Sequence, residues 1–304
     1  MRRWQTQSED STWYSSCGCS KCGTAFLHPA PTDQQLADAY AATYYGAGKT
    51  KFNPYVERFR TYFSTLRARR LTRNLPEACN ILDVGCGDGS LLGHLARTGA
   101  HTLHGIELPG AAAERAVRVP GLHLHLGTLS SVALPANSFD LITLVHVVEH
   151  LPAPREALDR LAELLKPGGR LFLAFPNIAS WQARWFGGHW FHLDPPRHLA
   201  LVPPVMMIRH LASKGLRLES EQHLCVEQNI YGWIQSALNR LDSRRNFLYE
   251  RLKRNRCYVP SRGTGTVLAH AATAGMLLIP ALILDAAAAV VASGATVELT
   301  FRKG

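Results

Sequence analysis

Apolar and polar positions change rhythm along this chain. Residues 1–33 are polar, cysteine-bearing and rich in turn formers. Residues 54–73 place apolar side chains at Tyr55, Val56, Phe59, Tyr62, Phe63 and Leu66, a helical spacing with arginines on the other face. From Asn80 short apolar runs alternate with helical stretches. The predicted strands are 80–84, 102–107, 122–126, 139–145, 170–175 and 216–221, and the predicted helices 89–98, 110–117, 154–166 and 204–214. Strand–helix alternation with continuous apolar strands predicts a doubly wound α/β sheet, mostly parallel and buried on both faces. A last strand is expected at 295–301. The segment before it, 227–294, has a different character.

Composition narrows the classes. The 304 residues are 46% hydrophobic and 18% charged, which excludes a disordered chain and suits one large domain or two small ones. Lys+Arg 33 against Asp+Glu 23 gives a formal charge of +10, favouring anionic partners without choosing among them. The seven cysteines are odd in number and mostly scattered, so a disulfide scaffold is not expected. The first ten residues carry no apolar secretory core, and a cytoplasmic location is the expectation.

The sharpest motif is Asp83-Val84-Gly85-Cys86-Gly87-Asp88-Gly89, between a predicted strand and a predicted helix. Glycines there let the backbone pass close beneath a ligand, and a helix start offers free N–H groups. The G-x-G-x-G spacing departs from the dinucleotide G-x-G-x-x-G, because Ser90 stands at the third glycine position. Glu107 ends the second strand, where an acid can accept both ribose hydroxyls of a nucleoside.

With these residues in place, the chain resembles the class I S-adenosylmethionine-dependent methyltransferases. The likeness rests on ILDVGCGDGSLL (81–92), HGIELPGAAAERA (104–116), LPANSFDLITLVHVVEHL (134–151) and LKPGGRLFLAFPN (165–177), and covers roughly 54–222. It implies a Rossmann-like seven-stranded sheet with S-adenosyl-L-methionine as cofactor. Asp83, Gly85 and Gly87 would surround the methionine part, Glu107 would hold the ribose, and Leu108 would pack on the adenine. Cys86, Gly89, Thr128, Leu129 and His146 complete the implied cofactor set. The family usually has an acid after strand 3; this chain has Gly127-Thr128-Leu129, which leaves the adenine contact to Thr128 or a backbone group.

Several motifs mislead. His146-x-x-Glu149-His150 has the form of a zinc-peptidase helix, yet it follows a strand directly. Ubiquinone-biosynthesis O-methyltransferases are similar here, with Glu-x-x-Glu-His, a cluster able to bind a divalent metal; with His146 in the first place, the expectation is a pocket without metal. Asp194-Pro-Pro-Arg197 lies too late in the chain for an amino-group methyltransferase motif. Gly46-Ala-Gly-Lys49-Thr50 lacks the first glycine of a phosphate loop. Cys19-x-x-Cys22-Gly23 has the form of one zinc knuckle, with Cys17 close by and no second pair upstream.

Residues 176–200 are dense in Trp, His and Arg and resemble the acceptor-side loop of small-molecule methyltransferases. Trp185, Trp190 and Arg197 are candidate substrate contacts, against the alternative of a packed loop with Arg197 in an internal ion pair. For a hydroxyl acceptor the base would be His150, with His192 or His198 next. The favoured acceptor is a lipophilic or glycan-derived small molecule. An RNA methyltransferase and a non-catalytic cofactor-binding module are the alternatives; nucleic acid is disfavoured because the basic residues do not lie among stacking aromatics.

Residues 240–256 carry seven Arg/Lys against two acids, and 266–292 are nearly charge-free. A transmembrane helix is disfavoured, because the last strand must rejoin the sheet. Two readings of this insert stay open: helices packed on the protein or on a second copy, or a shallow hairpin at the inner face of the membrane, drawn to anionic lipid. The expected organisation is a Cys-bearing cap at 1–50, a methyltransferase core at 51–226, a helical insert at 227–294 and the last core strand at 295–304.

Overall fold

The computed structural model of the chain describes residues 2–8, 12–40, 54–242, 244–253 and 264–304. Gly46–Thr50, Arg254 and Arg256 lie outside them. In chain order the elements are β1 (Arg2–Gln7), β2 (Trp13–Gly18), β3 (Ala25–His28), α1 (Asp33–Ala39), α2 (Pro54–Thr72), β4 (Asn80–Val84) and α3 (Ser90–Leu95). There follow β5 (Thr102–Glu107), α4 (Ala111–Ala116), β6 (Leu122–Leu126), β7 (Phe139–Val145), α5 (Pro154–Leu164), β8 (Leu165–Pro176), α6 (Trp181–Phe186) and β9 (Ala200–Leu201). The chain ends with α7 (Pro204–Ser213), β10 (Leu216–Gln222), α8 (Val226–Leu241), α9 (Phe247–Leu252), α10 (Thr264–Val290) and β11 (Thr296–Lys303). It divides into two compact units. One comprises Met1–Glu57, Pro176–Pro204 and Gln222–Val297; the other comprises Arg58–Phe175, Val205–Glu221 and Glu298–Gly304.

The second unit is built on the expected seven-stranded sheet, in the order β10-β11-β8-β7-β4-β5-β6. β4 pairs in parallel with β5 and β7, β5 with β6, and β7 with β8. The strand order reverses at β4/β7, which opens a crevice at the carboxyl ends of these strands. Ile81, Leu103, Leu141 and Phe172 from the strands pack with Leu92 and Leu95 of α3 and with Ala68 and Leu71 of α2. β11 inserts between β10 and β8, so the last strand does rejoin the sheet.

The sequence pattern misassigns the face of α2. Phe59, Tyr62 and Leu66, expected inside, are exposed, and Phe59 and Tyr62 stack edge-on against Phe63. The inward anchors are Ala68, Leu71 and Arg67, with the half-exposed Arg70 beside them. Arg67 Nη2 lies 3.0 Å from Glu298 Oε1, Arg70 pairs with the same carboxylate, and Arg70 also sits over the Phe172 ring. Burial alone would raise the Glu298 carboxyl, but the two guanidinium groups outweigh it and hold the group below its usual range. Hydrophobic periodicity cannot register an inward arginine whose partner is over two hundred residues away.

The first unit contains a four-stranded sheet, β1-β2-β3-β9, with antiparallel pairing throughout. Its strands are too polar to announce themselves by an apolar run. α8 buries Asn229, Gln235, Ser236 and Asn239, each in hydrogen bonds: Asn229 accepts the Thr296 N–H and donates to the His223 carbonyl, and Gln235 donates to Asn239. α10 packs one face on α8 through Ala274, Leu277, Ala281 and Leu284. The segment 227–294 is thus helical apart from its short connections among the described residues.

Candidate functional site

The glycine turn closes β4 and faces the end of β5. Gly85 and Cys86 both donate to the Ile106 carbonyl, at 2.8 and 3.0 Å. Gly85 has φ +67°, and an added Cβ would lie 2.6 Å from Val147 Cγ2, so no other residue fits without moving Val147. Gly87, at φ +58°, is different: an added Cβ meets nothing within 4 Å. Its backbone borders open space, as a ligand cradle requires. The Gly87 N–H donates to Glu107 Oε2 at 2.7 Å, and the Leu108 N–H donates to Glu107 Oε1 at 3.0 Å. The acid at the end of β5 is therefore aimed by two backbone donors, one of them from the loop.

Asp83 is the second acid. In the β4/β7 register it stands opposite Thr143, whose hydroxyl donates to Asp83 Oδ1 at 2.6 Å. Burial pushes its carboxyl up to about 7; the Thr143 hydrogen bond opposes this and the neighbouring Glu107 charge adds to it. Burial also raises Glu107, against the two N–H donors. Two inward carboxylates on adjacent strands make a site that gains from a cation. The Cys86 thiol is pushed up by burial and then by Asp83 and Glu107, so it stays neutral; its sulfur packs against Gly105.

The remaining cofactor candidates lie on the same strand ends. Leu108 is half exposed, Leu129 is buried, and Gly89 caps α3 with φ +74°. The Thr128 hydroxyl is held in its own turn by Ser130 and Ser131, at 3.0 and 3.1 Å. His146 follows β7 with φ +56°, a left-handed conformation that β-strand ends seldom impose on a side-chain-bearing residue. Its Nδ1 lies 3.4 Å from Oε1 of buried Glu149. His150 closes the single 3-10 turn Val148–His150, so the His-x-x-Glu-His run does not form the long helix a peptidase needs.

The acceptor-side candidates belong to the first unit. Trp185 is exposed, whereas Trp190 is fully buried. Arg197 is 2% exposed; its guanidinium bonds both carboxylate oxygens of Asp194 and reaches the Ala39 carbonyl. That is the internal ion pair weighed against substrate contact. His192 is buried, and its carbonyl lies 2.7 Å from His198 Nδ1. In the turn after β2, backbone N–H groups of Cys22 and Lys21 hold the Cys19 thiol below its usual value.

Sequence reasoning missed Thr143 and Val147. Thr143 had a signal: it is the lone polar residue inside the apolar run LITLV. Val147 had none, since its role arises from the turn that His146 starts.

Comparison with known proteins bears on this geometry. Residues 55–221 match the family model described as a methyltransferase domain. The ubiquinone biosynthesis O-methyltransferase of Xanthomonas axonopodis pv. citri is 32% identical over 206 residues, covering 64% of this chain and 77% of that protein. The chain belongs to the S-adenosylmethionine-dependent methyltransferases. The enzyme of the same printed name from Aromatoleum aromaticum is 35% identical over 107 residues, 32% of this chain and 44% of that one. Among solved structures, the cyclase SpnF superposes with a TM-score of 0.57 at 19% identity, over 90% of this methyltransferase and 97% of that chain. At that identity the likeness shows the fold alone.

S-adenosyl-L-methionine is the methyltransferase's cofactor. Positive charge placed beside Asp83 would lower its carboxyl from about 7, and binding there would release a proton. Free of ligand, the raised carboxyl costs stability that grows as pH rises from about 4 to 7. Affinity for S-adenosylmethionine is expected to rise with pH up to about 7 and then level off. Calorimetry at pH 7 in buffers of different ionisation enthalpy should show roughly half a proton released per site. S-adenosylhomocysteine, without the sulfonium, should release less, and Asp83→Asn should abolish the effect.

Proposed function

We propose that the enzyme methylates an oxygen of a lipophilic small molecule, at an anionic membrane surface. The carrying observation is the pair of buried acids on adjacent strand ends beside the open backbone of Gly87. In this reading Asp83, Gly85 and Gly87 embrace the methionine end, Glu107 takes the ribose hydroxyls, and exposed Leu108 covers the adenine. When bound, S-adenosylmethionine supplies an electrophilic methyl group on a sulfonium. The protein contributes alignment, because an in-line displacement gains most from holding its partners in register. His150 takes the proton of the acceptor hydroxyl as a general base. His146, oriented by Glu149, borders the methionine end. Oxygen as the target is supported by the printed names of the curated relatives, which are O-methyltransferases.

Membrane contact is supported by α10. This helix has 27 residues, about 40 Å at 1.5 Å per residue. It is long and apolar enough to cross a bilayer, and almost none of its apolar window is buried. Met276, Ile279 and Ile283 are 71%, 68% and 64% exposed. The face opposite α8 is therefore a continuous apolar surface of a kind that marks an interaction site. Its one acid, Asp285, is buried. Only part of the preceding basic stretch is available to lipid. Arg245 is buried against Thr6 and the Gly188 and Trp190 carbonyls, and Lys253 pairs with Glu250 in the interior. Arg240 and Arg251 face solvent. A monotopic contact, apolar helix face in the interface with arginines at headgroup level, fits both features.

His150→Gln should lower kcat by about 100-fold or more while leaving the dissociation constant for S-adenosylhomocysteine unchanged. The assay follows labelled methyl from S-adenosylmethionine into alkyl-substituted phenols. Full turnover in the variant, or label passing only to amines or RNA, overturns this reading. Separately, the full chain should float with vesicles containing anionic phospholipid, and Ile279→Asp/Ile283→Asp should stay in the dense fraction. A wild-type chain that ignores vesicles, and dimerises in solution unless those residues are changed, makes α10 a contact between copies.

A further inference from the structure

Away from the cofactor pocket, three histidines share one face of the sheet. His104 lies on β5, and His123 and His125 lie on β6, the edge strand. His104 pairs in register with His123, and His123 and His125 are two residues apart, which puts them on the same side of the strand. His104 Nδ1 lies 3.2 Å from His125 Nε2, with the two ring planes nearly parallel. The His123 ring stacks on His104 with centroids 5.0 Å apart. Phe139 closes the far side of His104 edge-on. The connection from β6 to β7 forms no helix, and His123 remains exposed while His104 and His125 are half-buried.

We propose that His104, His123 and His125 form a binding site for a divalent transition-metal ion of the zinc, nickel or copper type. Two ring nitrogens that share a proton at 3.2 Å are already spaced for a metal to replace it. At a zinc–nitrogen distance of about 2.0–2.1 Å, a tetrahedral centre sets its ligands about 3.3 Å apart. The exposed ring of His123 would turn off His104 to supply the third nitrogen, leaving a position for water. Three imidazoles with no oxygen donor select borderline transition metals over magnesium or calcium. Burial, and then the neighbouring imidazoles, depress the pKa of His104 and His125, so both are neutral and their lone pairs available near pH 7. No carboxylate contributes to either shift. A metal here would clamp β6 to β5 one step before the Glu107–Leu126 pair at the end of the strands. The inference is independent of the acceptor and of the role of α10.

The test is a calorimetric titration of metal-stripped full-length protein with Ni2+ alone. It is run in a Cys19→Ser/Cys22→Ser background so that thiolates do not compete. One equivalent should bind at pH 7.5, bind at least tenfold more weakly in His104→Gln and in His125→Gln, and be lost at pH 5. Thermal unfolding should shift upward with Ni2+ in the parent and not in the His104→Gln/His125→Gln double variant. Unchanged affinity for S-adenosylhomocysteine in that variant shows that the fold persists. If the double variant binds Ni2+ as the parent does, or the parent binds none, the proposal fails.

Discussion

Two carboxylates forced to share a dry crevice are the constraint on which this structure turns. Asp83 and Glu107 end neighbouring parallel strands, one facing the Thr143 hydroxyl and the other two backbone N–H groups. The second arrangement depends on the glycine turn. Gly85 must take a positive φ with Val147 packed where a side chain would be, and only then does the Gly87 N–H point at Glu107. The cost of keeping two acids inward falls on the ligand-free protein and is relieved when positive charge arrives.

The same logic explains why some residues proved structural. An arginine drawn inward must spend its donors on fixed partners, and Arg197, Arg245 and Arg67 all do so. Counting positive charge in the sequence therefore overstates how much of it meets solvent. The segment 240–253 illustrates this: two of its basic side chains brace the first unit from within, while the neighbouring helix α10 turns an apolar face outward.

Much of the second unit was legible from sequence because its strands are buried on both faces. Runs such as NILDV and FDLITLV need no partner to be recognised, and the order strand, glycine turn, helix, strand, acid fixes the pocket. The first unit was not legible in that way. β1 and β2 are held by a hairpin ladder between polar residues, and α8 is held by buried amides whose partners lie far along the chain. The inverted face of α2 has the same origin, since its position answers to Glu298 and not to its own aromatic stripe. His146 and Glu149 were visible as a motif, but the left-handed turn that brings them together was not.

Equilibrium binding of S-adenosylhomocysteine to Glu107→Ala tests the core of this account most directly. Loss of two hydrogen bonds to a charged acceptor should weaken binding by about 100-fold while the protein stays folded. Affinity equal to that of the parent protein would mean that the nucleoside is held elsewhere, and the account of the crevice would be wrong.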